Sequence, residues 1–272
     1  MSEIKKLTSE EEDTLLWELF EGEPNTERMA VITETVINVV MEHGCRPLAF
    51  VVKDPADFEN ALMEWHKVWP DVPIIQIDAR KYCNWLGAPA ARGVFSIMKL
   101  VNFMDYSRVL KENKKIIVVD IDRETTEKEL NETEDQSIGD IVGVSIRTGV
   151  ALDVDALLIT ESTRPYFDYK LIRDSMGNLL RVPIGIIPDL DKGGMAILKD
   201  YGFTTFALSL GDEDDVPVCE ANVFSKPRQA MILQNRISVP KVDYRVFVDF
   251  GVTDILVPAI AQMTVLLWEF LK

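Results

Sequence analysis

Apolar residues follow two different spacings along the chain, and these spacings predict helices and strands in turn. Between residues 26 and 42, apolar side chains recur mostly at intervals of three or four, which predicts one helix. Residues 57–68 and 255–271 also have helical patterns. Between the helices lie short apolar runs typical of buried strands, at residues 48–52, 73–77, 93–98, 116–120, 156–160, 181–184, 205–209, 230–233 and 245–248. This alternation of strands and helices indicates an α/β fold.

A charged segment, residues 111–115, separates two parts of the chain. The apolar run that follows it is typical of a strand in a parallel sheet. We therefore predict two domains, residues 1–113 and residues 114–272, of which the N-terminal α/β domain is the smaller. The composition, 47% hydrophobic and 27% charged over 272 residues, suits two such folded domains.

The net charge of −16 limits the possible partners. Residues 120–140 alone hold nine acidic and two basic side chains, which favours a solvated loop. This charge argues against broad, nonspecific binding of nucleic acid, which depends on cations that contact phosphates. A local basic groove is still compatible with it.

Few side chains are available for imidazole or thiol chemistry. The chain has two histidines, His43 and His66, and three widely spaced cysteines, Cys45, Cys83 and Cys219. This pattern predicts no metal site and reduced thiols. No G-x-S-x-G motif supports a serine hydrolase. The polar N-terminal segment and the lack of a long apolar run lead us to expect a cytoplasmic protein without a membrane span.

The second half contains a set of motifs in a characteristic order. A strand at 116–120 is followed by Gly143-Val-Ser-Ile-Arg-Thr-Gly149, then by Ser175-Met-Gly-Asn178 and by the segment Arg181-Val-Pro-Ile184. Residues 116–272 resemble the SpoU family of RNA 2′-O-ribose methyltransferases, within the knotted SPOUT class. Residues 20–23 and 91–97 resemble the substrate-binding domain that often precedes such enzymes.

The resemblance implies a C-terminal trefoil-knotted parallel sheet, a homodimer, and S-adenosylmethionine as the cofactor of RNA methylation. It assigns Arg147 a catalytic role at the ribose hydroxyl, and it assigns substrate binding to Arg147, Arg173 and Ser175. Without the resemblance, Arg147 would be interpreted as an ion-pairing residue on a helix. The cofactor is expected to lie against the backbone of three loops that contain Leu208, Ser209, Gly211, Leu233, Gln234, Asn235, Phe247, Val248 and Ile255.

Several motif positions differ from the family pattern. Ile141 stands where the first motif begins with Asn, and Gln234 and Arg236 replace the Gly and Glu of the second motif. Two alternatives therefore stay open beside the methylation of ribosomal or transfer RNA. One is a catalytically inactive relative that binds RNA or a protein, and the other is a protein that binds a different small molecule in the altered site.

Overall fold

The computed structural model describes residues 4–20, 28–81, 94–99, 103–121, 138–164, 169–209, 214–220, 224–234, 241–249 and 259–272. The chain forms two compact units. Unit 1 consists of Met1–Asn102 and Asp168–Gly177, and unit 2 consists of Phe103–Phe167 and Asn178–Lys272. Unit 2 thus begins before the predicted second domain, and a short later segment belongs to unit 1.

The secondary structure of the described residues alternates between strands and helices. The helices are α1 (Ser9–Phe20), α2 (Glu34–Glu42), α3 (Glu59–Val68), α4 (Tyr106–Glu112), α5 (Ile138–Ala151), α6 (Tyr169–Asp174), α7 (Gly194–Asp200) and α8 (Ala259–Leu271). The strands are β1 (Ile4–Lys6), β2 (Arg28–Ile32), β3 (Pro47–Val52), β4 (Ile74–Gln76), β5 (Val94–Lys99), β6 (Met104–Asp105), β7 (Lys115–Asp120), β8 (Ala156–Thr160), β9 (Ile184–Ile187), β10 (Thr204–Leu208), β11 (Val216–Pro217), β12 (Gln229–Gln234) and β13 (Tyr244–Phe247).

Unit 1 is built on a five-stranded sheet in the order β1-β4-β3-β5-β2. The first three strands are parallel, and β5 runs antiparallel to both β3 and β2. Leu16 of α1 is buried against one group of strand residues that includes Val51 and Phe95. Phe50 stacks on Trp65 of α3 with ring centroids 4.9 Å apart, and the Trp65 indole donates a 2.6 Å hydrogen bond to Asn38.

The predicted helix over residues 26–42 is wrong in its first half. The backbone of β2 pairs antiparallel with β5, and α2 begins only at Glu34. Thr33, between them, has φ of 76°, which breaks the regular backbone. Ala30 and Val31 are buried, so the same apolar residues that fit a helical spacing form a short strand instead.

Unit 2 contains an eight-stranded sheet in the order β11-β13-β10-β12-β7-β8-β9-β6, and all of its strand pairs are parallel. The predicted parallel α/β architecture is therefore confirmed. The strand predicted over 181–184 is shifted, because a 3-10 helix (Asn178–Arg181) occupies its beginning and β9 starts at Ile184. Arg181 and Pro183 are exposed, which does not suit a strand buried on both faces.

Helices cover both faces of the sheet in unit 2. One face, here called the α7 face, packs Val118, Ala207 and Ile232 against residues of α4 and α7. On the opposite face, Phe206 packs edge-on against Phe270 of α8, at 6.0 Å between ring centroids. Side chains of a strand alternate between the two faces of the sheet, so the alternation also indicates on which face the side chain of the residue just after a strand lies.

Among the described residues, no helix is both long enough and apolar enough to cross a membrane.

Candidate functional site

The carboxyl ends of five neighbouring strands meet along one edge of the sheet in unit 2. These strands are β13, β10, β12, β7 and β8, and Leu208 lies opposite Val246 while Gln234 lies opposite Asp120. Ligands of open parallel sheets bind outside the carboxyl ends of the strands. We therefore take this edge as the candidate site.

A row of polar residues follows the apolar core at this edge. Each lies two positions after a core residue of the α7 face, so the alternation of side chains places all four on that face. We call them the polar row, and they are Ser209, Gln234, Asp120 and Thr160, from four adjacent strands. Asp120 is 1% exposed and Thr160 is fully buried. Charged and polar groups buried in this way require hydrogen bonds.

Hydrogen bonds fix the ends of β7 and β8. The Thr160 hydroxyl donates to Asp120 Oδ1 at 2.9 Å. Thr163 accepts from the Ile121 amide at 2.7 Å and donates to the Val119 carbonyl at 3.0 Å. The interpretation of residues 120–140 as a solvated loop is therefore wrong for Asp120 and for residues 138–140, which begin α5, whereas residues 122–137 lie outside the described residues.

A second carboxylate, Asp189, holds the turn after β9. It accepts hydrogen bonds from the Ser162 amide at 2.7 Å and from Lys192 Nζ at 2.8 Å. Burial raises the pKa of the Asp189 carboxyl, but these hydrogen bonds and the Lys192 charge outweigh burial and lower the pKa below its usual value. Asp189 is thus held in its ionised form, which suits a structural role at neutral pH.

Three side chains join β10, β11 and β13, and we call Ser209, Asp215 and Arg245 the Arg245 cluster. Ser209 follows β10, Asp215 precedes β11, and Arg245 lies within β13. Arg245 Nη2 donates to Ser209 Oγ at 3.1 Å, and its Nε lies 3.4 Å from Asp215 Oδ1. The Ser209 hydroxyl also donates to Asp215. The Asp215 side chain is only 1% exposed, so this charge depends on its partners. The cluster ties β10 and β13, which form part of the candidate site, to β11 at the edge of the sheet.

The structure brings most of the predicted cofactor-binding residues to this edge. Leu208 and Ser209 end β10, Leu233 and Gln234 end β12, and Phe247 and Val248 end β13. The three strands are direct neighbours or separated by one strand. Gly211, Asn235 and Ile255 lie outside the described residues. The roles of all nine residues stay predictions.

Arg147 lies on the solvent side of α5. The helix buries Val142, Ile146 and Gly149, whereas Arg147 is exposed. Gly149 packs closely on the sheet, because a Cβ atom there would lie 2.4 Å from Ile117 Cδ1. Arg147 forms no hydrogen bond or ion pair with any residue that the structure describes. Its five donors are therefore available to a ligand.

The other predicted substrate-binding residues lie in unit 1, in and just after α6. Ser175 is fully buried, and its hydroxyl donates to the Ile172 carbonyl at 3.1 Å. Gly177, with φ of 73°, lies so close to α2 that a Cβ atom would be 3.0 Å from Val40. The backbone of Arg173 is part of α6, and its side chain lies outside the described residues. A role in substrate binding stays a prediction for both Arg173 and Ser175.

Sequence comparison finds no matching family model and no matching curated protein. Solved structures, in contrast, match almost the whole chain. The SpoU methyltransferase AviRb from Streptomyces viridochromogenes, in complex with AdoMet (S-adenosylmethionine), is 15% identical and has a TM-score of 0.67, with 97% of this chain and 98% of that chain covered. The chain has the SpoU methyltransferase fold.

Two further structures extend this agreement. An AdoMet-bound rRNA methyltransferase from Sinorhizobium meliloti is 12% identical with a TM-score of 0.69, and covers 98% of this chain and 97% of its own. An RNA 2′-O ribose methyltransferase is 12% identical with a TM-score of 0.63, and the match covers 99% of this chain and 98% of that chain. The parallel-sheet α/β fold inferred from the motifs is thereby confirmed.

Sequence reasoning missed the Arg245 cluster and the position of Asp189. Ser209 and Arg245 are 36 residues apart, and only the order of the strands brings them together. Asp189 lies two residues after the end of β9, and a polar residue just after a buried strand is a signal that the sequence offers. Asp120 is likewise a polar residue at the end of a buried strand, but it was grouped with the acidic residues that follow it and was therefore interpreted as part of a loop.

Among the described residues, no group of three His, Cys, Asp or Glu side chains could hold a metal ion.

Proposed function

We propose that this chain is an S-adenosylmethionine-dependent RNA methyltransferase that modifies a ribose 2′ hydroxyl of ribosomal or transfer RNA. The observation that carries the proposal is the meeting of the ends of β10, β12 and β13 at one edge, in a fold whose solved examples include AdoMet complexes. These strand ends hold six of the nine residues expected at the cofactor.

The chemistry of the polar row suits such a cofactor. Asp120 and the side-chain oxygen of Gln234 lie on adjacent strands, and both are hydrogen-bond acceptors. S-adenosylmethionine offers hydrogen-bond donors and a positive charge, and when bound it supplies an electrophilic methyl group. Buried acceptors and a nearby carboxylate favour a cation of this kind. The backbone at Ser209, Gln234 and Phe247 would hold it.

Arg147 is the residue we assign to the substrate side. Its exposed guanidinium can hold an RNA phosphate through two parallel hydrogen bonds, or orient the ribose hydroxyl that loses its proton. Positioning of the hydroxyl and stabilisation of developing charge are the main means of accelerating such a transfer.

The remaining parts of the proposal concern organisation. Unit 1 serves as the RNA-binding domain of a cytoplasmic enzyme, and the chain acts as a homodimer. Support for the dimer comes from α8, where Trp268 is 55% exposed and Val265 is 37% exposed on a helix that otherwise packs on unit 2. Analytical ultracentrifugation should give twice the chain mass, and a monomer at all micromolar concentrations would contradict this part.

The first test of the proposal is calorimetric titration with S-adenosylmethionine and with S-adenosylhomocysteine. We expect dissociation constants in the micromolar range. Methyl transfer to ribosomal and transfer RNA is then measured for the wild type, for Arg147→Ala and for Arg108→Ala. Arg108 is a matched control, because it is an exposed arginine of unit 2 that pairs only locally with Glu112.

We expect Arg147→Ala to reduce methyl transfer by about a hundredfold or more, the scale of a lost transition-state contact, without weakening cofactor binding. Arg108→Ala should match the wild type. Equal loss in both variants would refute the assignment of Arg147. Absence of cofactor binding to the wild type would refute the enzymatic proposal.

A second candidate function rests on Ile141, which stands where the first motif of the family begins with asparagine. A chain without that side chain could keep the fold and bind RNA without modifying it. RNA binding that is unaffected by S-adenosylmethionine, together with no methyl transfer, would favour this candidate.

A further inference from the structure

Gln234 ends β12 in the middle of the polar row, and neither end of its side-chain amide is held by a described residue. The Oε1 atom is buried, yet it accepts no hydrogen bond. Gln229, at the other end of the same strand, also has a buried Oε1, but its amide group donates to the carbonyls of Phe224 and Lys226. The Gln229 side chain is therefore anchored to the protein, whereas no described residue anchors that of Gln234.

The neighbours of Gln234 in the row are already engaged with other partners. On one side, Asp120 accepts from Thr160, and on the other, Ser209 donates to Asp215 and accepts from Arg245. Ser209 thus has its only hydroxyl proton committed to Asp215, and Asp120 as a carboxylate has none to offer. The adjacent strand ends leave the Gln234 oxygen without a protein donor.

A buried carbonyl oxygen without a hydrogen bond makes the folded state less stable, because the atom has lost its water without gaining a partner. Native structures keep few such atoms, and each requires an explanation. Because this atom lies at the carboxyl edge of a parallel sheet, where ligands bind, a ligand donor is the partner that fits.

We infer that Gln234 is a specificity-determining residue of the cofactor site, whose side-chain oxygen accepts a hydrogen bond from an amino or hydroxyl group of S-adenosylmethionine. This inference rests on the proposed function and deepens it, since the motif resemblance assigns only backbone contacts to this loop. A side chain stands here where the family pattern has glycine, and it supplies an acceptor that the backbone alone does not.

The test compares Gln234→Leu with Gln229→Leu, which is the same change at the other end of the same strand. Two quantities are measured, the denaturant midpoint of the ligand-free chain and the affinities for S-adenosylmethionine and S-adenosylhomocysteine by calorimetry. We expect Gln234→Leu to raise the midpoint, because it removes the unpaired oxygen, and to weaken both ligands at least about tenfold, which corresponds to about 1.4 kcal/mol.

Gln229→Leu should change the midpoint in the opposite direction, although it also removes an unpaired oxygen. It loses two hydrogen bonds to backbone carbonyls, so the midpoint should fall, while the affinities stay within about twofold of the wild type. A residue with a purely structural role would not combine higher stability with weaker binding.

Each outcome distinguishes this inference from the proposed function. If the wild type binds both ligands and Gln234→Leu binds them equally well, the inference is overturned and the proposed function stands. If Gln234→Leu lowers the midpoint and the affinity together, Gln234 is structural and the inference is again overturned. If the wild type binds neither ligand, the proposed function fails, and the inference fails with it.

Discussion

The Arg245 cluster should contribute measurably to the stability of unit 2, and Arg245→Met tests this. The substitution removes the guanidinium and keeps much of the aliphatic stem. Arg245 Nε lies 3.4 Å from Asp215 Oδ1, so the attraction between the two charges is about 5 kcal/mol at an effective dielectric constant of about 20. Most of this is offset, because burial of the Asp215 charge costs solvation energy.

The exposure of the two side chains determines the net value. Asp215 is 1% exposed and cannot be hydrated when its partner is removed, whereas Arg245 is 43% exposed and partly screened by water. Truncation of one partner of a fully buried pair costs about 3–5 kcal/mol, and we discount this for the screening to about 2 kcal/mol. For a protein of this size, that value corresponds to a decrease in Tm of about 4–8 °C.

Differential scanning calorimetry of a double-mutant cycle measures the effect. The cycle consists of Arg245→Met, Asp215→Asn and the double variant, and the double variant should be more stable than the sum of the single effects predicts. Arg108→Met serves as the control, since its partner Glu112 is 55% exposed and the expected change is about 0.5 kcal/mol or less. The reasoning is refuted if Arg245→Met and Arg108→Met have the same Tm, or if the effects in the cycle are additive.

Three further predictions concern packing, a hydrogen bond and acid stability. Gly149→Ala should destabilise unit 2 by about 1–2 kcal/mol in denaturant unfolding, because the new methyl group would lie 2.4 Å from Ile117 Cδ1. Adding Ile117→Val removes that Cδ1 atom and should restore most of the lost stability. A double variant less stable than Gly149→Ala would contradict this. Asn38→Ala should lower the free energy of unfolding by about 1–3 kcal/mol, because it leaves the indole N–H of the buried Trp65 unpaired. Tryptophan fluorescence during urea unfolding measures this change. An unchanged midpoint would show that the hydrogen bond does not contribute to stability. The pKa of Asp189 is lowered in the folded chain, so its contribution is present above the unfolded pKa of about 3.9 and is lost as the pH falls through the folded value. Asp189→Asn should therefore lower the Tm at pH 7 and reduce its dependence on pH below about 4, and parallel Tm curves for the two proteins would refute this.

The central strands of unit 2 could be predicted from the sequence because they are buried on both faces. Such strands are continuous apolar runs, as at Ile116–Val119 and Leu157–Ile159, and few other structures give that pattern. The motif Gly143–Gly149, which follows the strand at residues 116–120, also predicted that Arg147 lies on a helix. The parallel order then placed most of the expected cofactor residues at one edge.

Other elements carry too little local signal to be predicted. β1, β6 and β11 are two or three residues long and depend on pairing with a strand that is distant in the sequence. The segment that contains Ser175 packs into unit 1 although both flanking segments belong to unit 2. The Arg245 cluster joins residues through strand order alone. These features arise from tertiary contacts that no window of the sequence contains.

The place of β13 in the sheet has a consequence for folding during synthesis on the ribosome. β10 and β11 are consecutive in the chain, yet β13 separates them in the sheet and is synthesised after both. The gap between the two must stay open until residues 244–247 have left the exit tunnel. The edge that holds Ser209, Gln234 and Phe247 can therefore assemble only after residues 244–247 have been synthesised, so a nascent chain that stops before them would lack the site even where its earlier strands have folded.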